Sequence, residues 1–274
     1  MDTCSCQSVR PVGAGAAELR VLFAGRKLAG CEALSWTHQQ GHIIAGVLTD
    51  DFLPGSPCAE WARVHGVPLY TYEAAEQAVQ DGSLEFDLGV SFVYWRKLRP
   101  ALFEHPARGF INFHPAPLPS LKGVAGYNIA ILEGMSEYGV TAHYVDECID
   151  TGPIIEVATV DMDSTHETAQ SLESHSMKAM LALYRKTVQR VAASQALLPT
   201  SENKGGRYFT RDDMEALKQV QPDDDADRKA RAFWFPPYDG AYLEHRGARF
   251  TIVPRHVLES LGGADTHLKL REPA

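Results

Sequence analysis

Residues 110–126, FINFHPAPLPSLKGVAG, decide how this 274-residue chain is read. Phe110-Ile111-Asn112-Phe113 is a short apolar run bounded by punctuation, the pattern of a buried strand end. His114 follows, and then prolines at alternate positions, Pro115, Pro117 and Pro119. Each proline lacks a backbone N–H and has a fixed φ, so neither a helix nor a central strand can continue. Small residues up to Gly126 then release the chain toward a helix. The product is a stiff loop at a strand's carboxyl end that presents Asn112 and His114. Ligands bind at that edge in an open α/β sheet. On its own, Asn-x-His at a strand end is more often a hydrogen-bonded structural pair than a catalytic one.

Working outward, the upstream sequence alternates. Strands are expected over 19–24 (LRVLFA), 42–48, 67–70 and 86–92, with helices over 27–40, 57–65 and 73–80 between them. Strand–helix alternation with right-handed crossovers predicts an α/β fold, a doubly wound, mostly parallel sheet with helices on both faces. Gly25 and Gly30 follow the first strand, but no GxGxxG or GK[ST] is present, so they read as turn and packing glycines. Downstream, a helix is expected over 127–132, strands over 140–145 and 154–160, and a long helix over 166–193 whose methionines are core filler. SENKGG, 201–206, reads as a linker. Helices over 212–220 and 223–233 and a hairpin, 241–245 with 248–253, then make a small C-terminal α+β appendage. The organisation expected is a flexible tail over 1–18, a main domain over 19–200 and the appendage over 207–274.

Acidic residues outnumber basic ones, for a formal net charge of −9. A nucleic-acid surface needs clustered Lys and Arg, so the balance argues against one. No apolar run approaches the ~20 residues of a membrane span, and the N-terminal stretch lacks the apolar core of a signal peptide. The five cysteines are scattered, and Cys4-Ser5-Cys6 is one residue short of a CxxC pair. Neither a zinc site nor a disulfide framework is expected, and reduced thiols in the cytoplasm are the default.

A second stretch, 139–153, GVTAHYVDECIDTGP, carries Asp150-Thr151-Gly152 thirty-eight residues after Asn112. Together, N-x-H-P-x-P-L-P and this D-T-G resemble the folate-dependent formyltransferase family, over about residues 19 to 250. That family includes methionyl-tRNA formyltransferase, glycinamide ribonucleotide transformylase and the amino-sugar N-formyltransferases. The resemblance implies a formyltransferase catalytic domain over 19–200, with 10-formyltetrahydrofolate as co-substrate and no metal. It assigns catalysis to Asn112, His114 and Asp150. Formyl transfer to an amine needs a donor for the oxyanion, a proton route that keeps the amine neutral, and fixed approach geometry. An amide, an imidazole and an orienting carboxylate supply these.

The resemblance also places the pterin against the loop after the fourth strand, through Phe92, Tyr94, Lys97 and Leu98, and the loop before Asp150, through Val145, Asp146, Cys148 and Ile149. Tyr94 and Trp95 read equally as hydrophobic cover, and Arg96, Lys97 and Arg99 read as a solvated charge run ahead of a site for the glutamate tail's carboxylates. Leu118-Pro119 is where the resemblance points to a cis bond.

The acceptor expected is a small-molecule amine, a nucleotide-linked amino sugar first, with a homodimer left open. Methionyl-tRNA, or another biosynthetic amine, is the alternative. The segment 49–57, TDDFLPGSP, holds two aspartates and no Lys or Arg where the tRNA enzymes carry a basic insertion, and 34 residues after Gly240 leave little room for their barrel. A hydrolase releasing formate would share the site but lack an acceptor pocket. A dinucleotide-binding oxidoreductase or ligand-binding module would need the phosphate loop that is missing.

Overall fold

The computed structural model describes residues 17–50 and 55–261. The tail over 1–16, with Cys4 and Cys6, residues 51–54 of the acidic 49–57 segment and the last thirteen residues lie outside the described part.

The alternation of the first half builds β1 (Arg20–Gly25), α1 (Lys27–Gln39), β2 (Ile43–Leu48), α2 (Pro57–Val64), β3 (Leu69–Tyr70), α3 (Tyr72–Gln80) and β4 (Leu88–Phe92). Local chemistry starts these helices. Ser56 and Thr71 accept the Ala59 and Ala74 N–H groups as N-caps, and Pro57 occupies the first turn of α2, where its missing N–H costs nothing. A short helix, α4 (Pro100–Phe103), precedes β5 (Phe110–His114). Then follow β6 (Leu121–Gly123), α5 (Gly126–Leu132), β7 (Glu137–Tyr144), β8 (Ile154–Asp161) and the long α6 (Ala169–Ala193). The C-terminal part holds β9 (Arg207–Phe209), α7 (Arg211–Ala216), α8 (Ala226–Ala232), β10 (Tyr242–His245), β11 (Ala248–Thr251) and α9 (Arg255–Leu261).

Seven strands form the main sheet in the order β3-β2-β1-β4-β5-β7-β8. β3, β2, β1, β4 and β5 run parallel, and β7 is antiparallel to β5. The expected doubly wound, mostly parallel sheet is therefore present. Its two faces follow from side-chain alternation along each strand. Val21, Phe23, Val90, Phe92, Ile111 and Phe113 join residues of α1, α2 and α6 in one core cluster. Leu22, Ala24, Leu48 and Phe110 join residues of α3 and α4 in the other. Phe113 anchors β5 edge-on to Tyr184 at 4.9 Å between ring centroids, with Phe92 at 5.9 Å. Removing such a buried ring costs about 3–5 kcal/mol. Asn112 and His114 share the parity of Phe110, so they stand on the α3/α4 face at the strand's end.

The described residues divide into two compact units, each assembled from three stretches. One takes the residues up to Gly123 with Gly139–Val160 and Ser176–Arg207; the other takes Val124–Tyr138, Asp161–His175 and the chain from Tyr208 onward. In the second unit, α5 and α8 are tied by Asn128 Nδ2 donating to the Ala232 carbonyl at 2.7 Å, and the buried Arg231 caps the Ser164 and Glu167 carbonyls. The hairpin forms as expected across Arg246-Gly247, both at positive φ, and Pro236-Pro237 is cis. Three helices are shorter than their periodicity implies, and α8 starts at Ala226 rather than 223 because the Asp225 side chain accepts the Arg228 N–H as its N-cap. α6 begins at Ala169 rather than 166 because Thr168 and Ser171 bond each other's backbone N–H in a reciprocal cap. α7 ends at Ala216, where the chain turns to bridge Gln219 to Tyr242. No helix among the described residues is long and apolar enough to cross a membrane.

Candidate active site

β5 delivers Asn112 and His114 to the sheet's carboxyl edge, and the proline loop then turns back. Leu118-Pro119 is cis, and the Leu118 N–H and the Ala116 carbonyl both bond the buried Thr141 hydroxyl of β7. That brings Leu121 and Gly123 under the imidazole and the carboxylate. β7 runs beside β5 with His143 opposite Asn112. The turn after it places Asp150 at φ +57, in the left-handed region where Asp is better tolerated than most residues. Gly152 is required there: a Cβ would lie 1.9 Å from the Tyr144 carbonyl oxygen.

The structure thus gathers Asn112, His114 and Asp150, and it adds a fourth member, His143. The Asp150 carboxylate is their common partner. Its Oδ2 accepts the Gly123 N–H at 2.9 Å. Its Oδ1 lies 3.3 Å from Asn112 Nδ2, 3.4 Å from His114 Nδ1 and 3.6 Å from His143 Nε2. Asp150 is 7% exposed and both imidazoles are buried.

Neighbouring carbonyls assign the protons, because a carbonyl only accepts. His143 Nδ1 is 2.8 Å from the Tyr144 carbonyl, so it carries the hydrogen, and Nε2 accepts from Asn112 Nδ2 at 3.0 Å. The amide of Asn112 is thereby oriented with both N–H groups toward His143 and Asp150. His114 Nε2 is 3.0 Å from the Leu121 carbonyl and donates to it, which leaves Nδ1 turned toward Asp150. Burial holds the His114 pKa below its ordinary value, against the pull of Asp150. Burial pushes Asp150 upward, but the two imidazoles and the Gly123 N–H outweigh it, and the carboxyl stays below its ordinary range. The resting site is an ionised carboxylate beside a neutral imidazole with one free nitrogen. No group of three His, Cys, Asp or Glu among the described residues is arranged to hold a metal ion.

The residues expected to meet the pterin divide by sheet face. Leu98 belongs to the α3/α4 cluster, and Tyr94 and Val145 pack against it. Two loops far apart in sequence therefore meet on the face that carries Asn112 and His114. The Phe92 side chain lies in the opposite cluster, so only its main chain is available to a ligand on the site's face. Asp146 turns inward, accepting Thr151 Oγ1 at 2.6 Å and the Cys148 N–H at 3.1 Å. Cys148, Ile149 and Lys97 are exposed. Arg96 and Arg99 sit over the Tyr72 ring and pair with Glu73 and Glu76. A cleft beside the Asp150 turn is lined by Asp146, Thr151, Pro153 and residues 200–204.

Sequence reasoning passed over His143. Its signal was visible in GVTAHYVD: Thr141 and His143 alternate on one face of a strand, which is where a polar cross-strand partner for Asn112 must stand.

A profile of the formyl transferase family matches residues 62–188. Methionyl-tRNA formyltransferase of Legionella pneumophila (strain Paris) is 30% identical over 238 residues, spanning 82% of this chain and 75% of that protein. Among solved structures, a 4-N formyltransferase from Francisella tularensis superposes with a TM-score of 0.71 at 17% identity, covering 85% of this chain and 96% of that one. The N-formyltransferase from Helicobacter canadensis, solved with folinic acid and dTDP-3-aminofucose, gives 0.69 at 20% identity, covering 84% and 85%. At such identities the structural likeness speaks for the fold, and the Legionella relative for descent. The chain belongs to the folate-dependent formyltransferase family.

Proposed function

We propose that this enzyme transfers the formyl group of 10-formyltetrahydrofolate to the primary amine of a small molecule, a nucleotide-linked amino sugar first among candidates. The observation that carries the reaction is the Asp150 carboxylate shared by Asn112, His114 and His143. When bound, the folate supplies an activated formyl group on nitrogen. His114 Nδ1, neutral at rest, takes the proton that the attacking amine sheds and returns it to the departing folate nitrogen as the bond between that nitrogen and the formyl carbon breaks. Asp150, 3.4 Å away, stabilises the resulting imidazolium, while Nε2 remains on Leu121. Asn112 holds two N–H groups at the site. The one resting on the neutral His143 is more readily given to a developing oxyanion than the one on the ionised Asp150, because charge-assisted bonds are stronger. The apolar patch of Leu98, Tyr94 and Val145 suits a flat heteroaromatic ring, with Phe92, Asp146, Cys148 and Ile149 contributing main chain and the exposed Lys97 within the same loop for the tail's carboxylates.

Two observations support the small acceptor. A formal net charge of −9 is a poor match for a polyanion whose binding requires several neutralised phosphates. The 49–57 segment offers two carboxylates and no cation. The second reading, methionyl-tRNA, is favoured by the Legionella relative. The test is a side-by-side assay with 10-formyltetrahydrofolate: methionyl-tRNA against nucleotide-linked 3-amino and 4-amino sugars, at low and moderate salt. Turnover on a sugar alone supports the proposal. Efficient, salt-sensitive formylation of the tRNA replaces it with the second reading, and folate release without any amine marks a hydrolase.

A further inference from the structure

The segment SENKGG, 201–206, reads as a linker but is anchored at Ser201, Asn203 and Gly206 within its own unit. Ser201 exchanges both backbone hydrogen bonds with Ile154, at 2.8 and 3.0 Å. Gly206 sits at φ +78 so close to the proline loop that a Cβ would lie 1.6 Å from the Pro119 carbonyl oxygen. The Arg207 N–H then donates to the Ser120 carbonyl at 3.0 Å. Between these anchors stands Asn203. Its Nδ2 donates to the Asp150 carbonyl at 3.0 Å and to the Gly152 carbonyl at 2.9 Å. Both partners only accept, so the amide orientation is settled. One side chain thus spans the two ends of the turn that carries the carboxylate.

That turn needs holding. Asp150 is in the left-handed region and Gly152 is pressed against the Tyr144 carbonyl. A planar amide with two diverging N–H groups can satisfy two carbonyls two residues apart. A serine has one donor, and an aspartate would oppose both carbonyls with negative charge.

We propose that Asn203 is a positioning residue for formyl transfer, clamping the Asp150–Thr151–Gly152 turn so that the Asp150 carboxylate stays on Gly123 and His114. The inference rests on the reading of Asp150 as catalytic. Small displacements of a catalytic group can cost up to about 100-fold in rate. Asn203→Ala in the full-length enzyme should lower kcat by about 30-fold, with Asn203→Ser between it and wild type. Amide hydrogen exchange at Gly123, whose N–H rests on Asp150, should speed up in step. The decisive measurement is the cycle with Asp150→Asn. If Asn203 acts through the carboxylate, Asn203→Ala removes nothing further from the residual rate of Asp150→Asn. Equal losses in both backgrounds, or unchanged Gly123 exchange in a slowed Asn203 variant, overturn the proposal. A fully active Asp150→Asn enzyme instead overturns the catalytic reading beneath it. Should Asn203→Ala not fold, Asn203→Ser, with a native circular dichroism spectrum, carries the same cycle.

Discussion

Among the described residues two buried carboxylates stand beside imidazoles, one in each compact unit, and their surroundings differ. Asp150 is 7% exposed and Glu167 6%. Glu167 accepts the Ser171 hydroxyl and lies 2.8 Å from His175 Nδ1. By distance alone Glu167–His175 is the better pair, since Asp150 and His114 are 3.4 Å apart. Their surroundings reverse that ranking. His175 is 53% exposed, and its partner sits at the start of α6, where a negative charge favours the helix's N-terminal dipole. His114 is buried, one ring nitrogen is committed to a carbonyl, and the other faces a carboxylate on a backbone turn in the left-handed region. A carboxylate–imidazole contact is therefore weak evidence of catalysis. A buried imidazole with one nitrogen uncommitted is much stronger evidence.

The largest effect that could break this contrast is on turnover. Asp150→Asn and His114→Asn should each lower kcat by about 10³-fold, because proton transfer loses either its base or the charge that supports it. Melting curves should show a folded protein in both cases. Near wild-type rates at saturating donor and acceptor would put the two carboxylates on equal footing.

The pH dependence sharpens it next. Burial lowers the His114 pKa, so the neutral form persists below its ordinary value of 6.5 and the acid limb of kcat/KM should fall under that value. In Asp150→Asn the limb of the residual activity should move lower still, because the charge that raises the imidazole pKa is gone. Stability follows the same sign. His114 and Asp150 both titrate lower when folded, so the unfolded chain binds more protons on the acid side. Their contribution is complete above the ordinary His value and declines as pH falls, first for His114 and then for Asp150 below 3.8. Denaturant titrations at several pH values read this directly, and stability rising on acidification would contradict it.

The smallest effects belong to the other pair. Glu167→Gln should cost about 1–2 kcal/mol of stability, the worth of a buried charged hydrogen-bond acceptor at a helix start, and leave kcat unchanged. His175→Ala should alter stability by under about 0.5 kcal/mol, since its ion pair faces solvent. Chemical denaturation measures both. A tenfold fall in kcat in either variant would show that the second unit's pair also serves the reaction.

The parallel sheet was legible because its signals are local. Short apolar strands such as VLFA and GVSF alternate with capped helices, and glycines and prolines mark the joints. Asn112, His114 and Asp150 were legible through two motifs at a set spacing. The proline loop declared itself through residues whose backbone freedom is restricted before any contact forms. What stayed hidden depended on register and distance. His143 matters because antiparallel pairing sets it opposite Asn112, and a one-residue slip would turn it to the other face. Phe92 and Leu98, six residues apart in one expected binding loop, part to opposite sheet faces. Asn203 lies in a hydrophilic stretch whose composition reads as solvent-exposed linker, and only the fold brings it under the carbonyls of a turn 53 residues away. Local propensity and motif spacing therefore determined the architecture and the chemical groups at the site. Tertiary structure alone decided their protonation and support, because which atom faces which carbonyl is set by packing between segments distant in sequence.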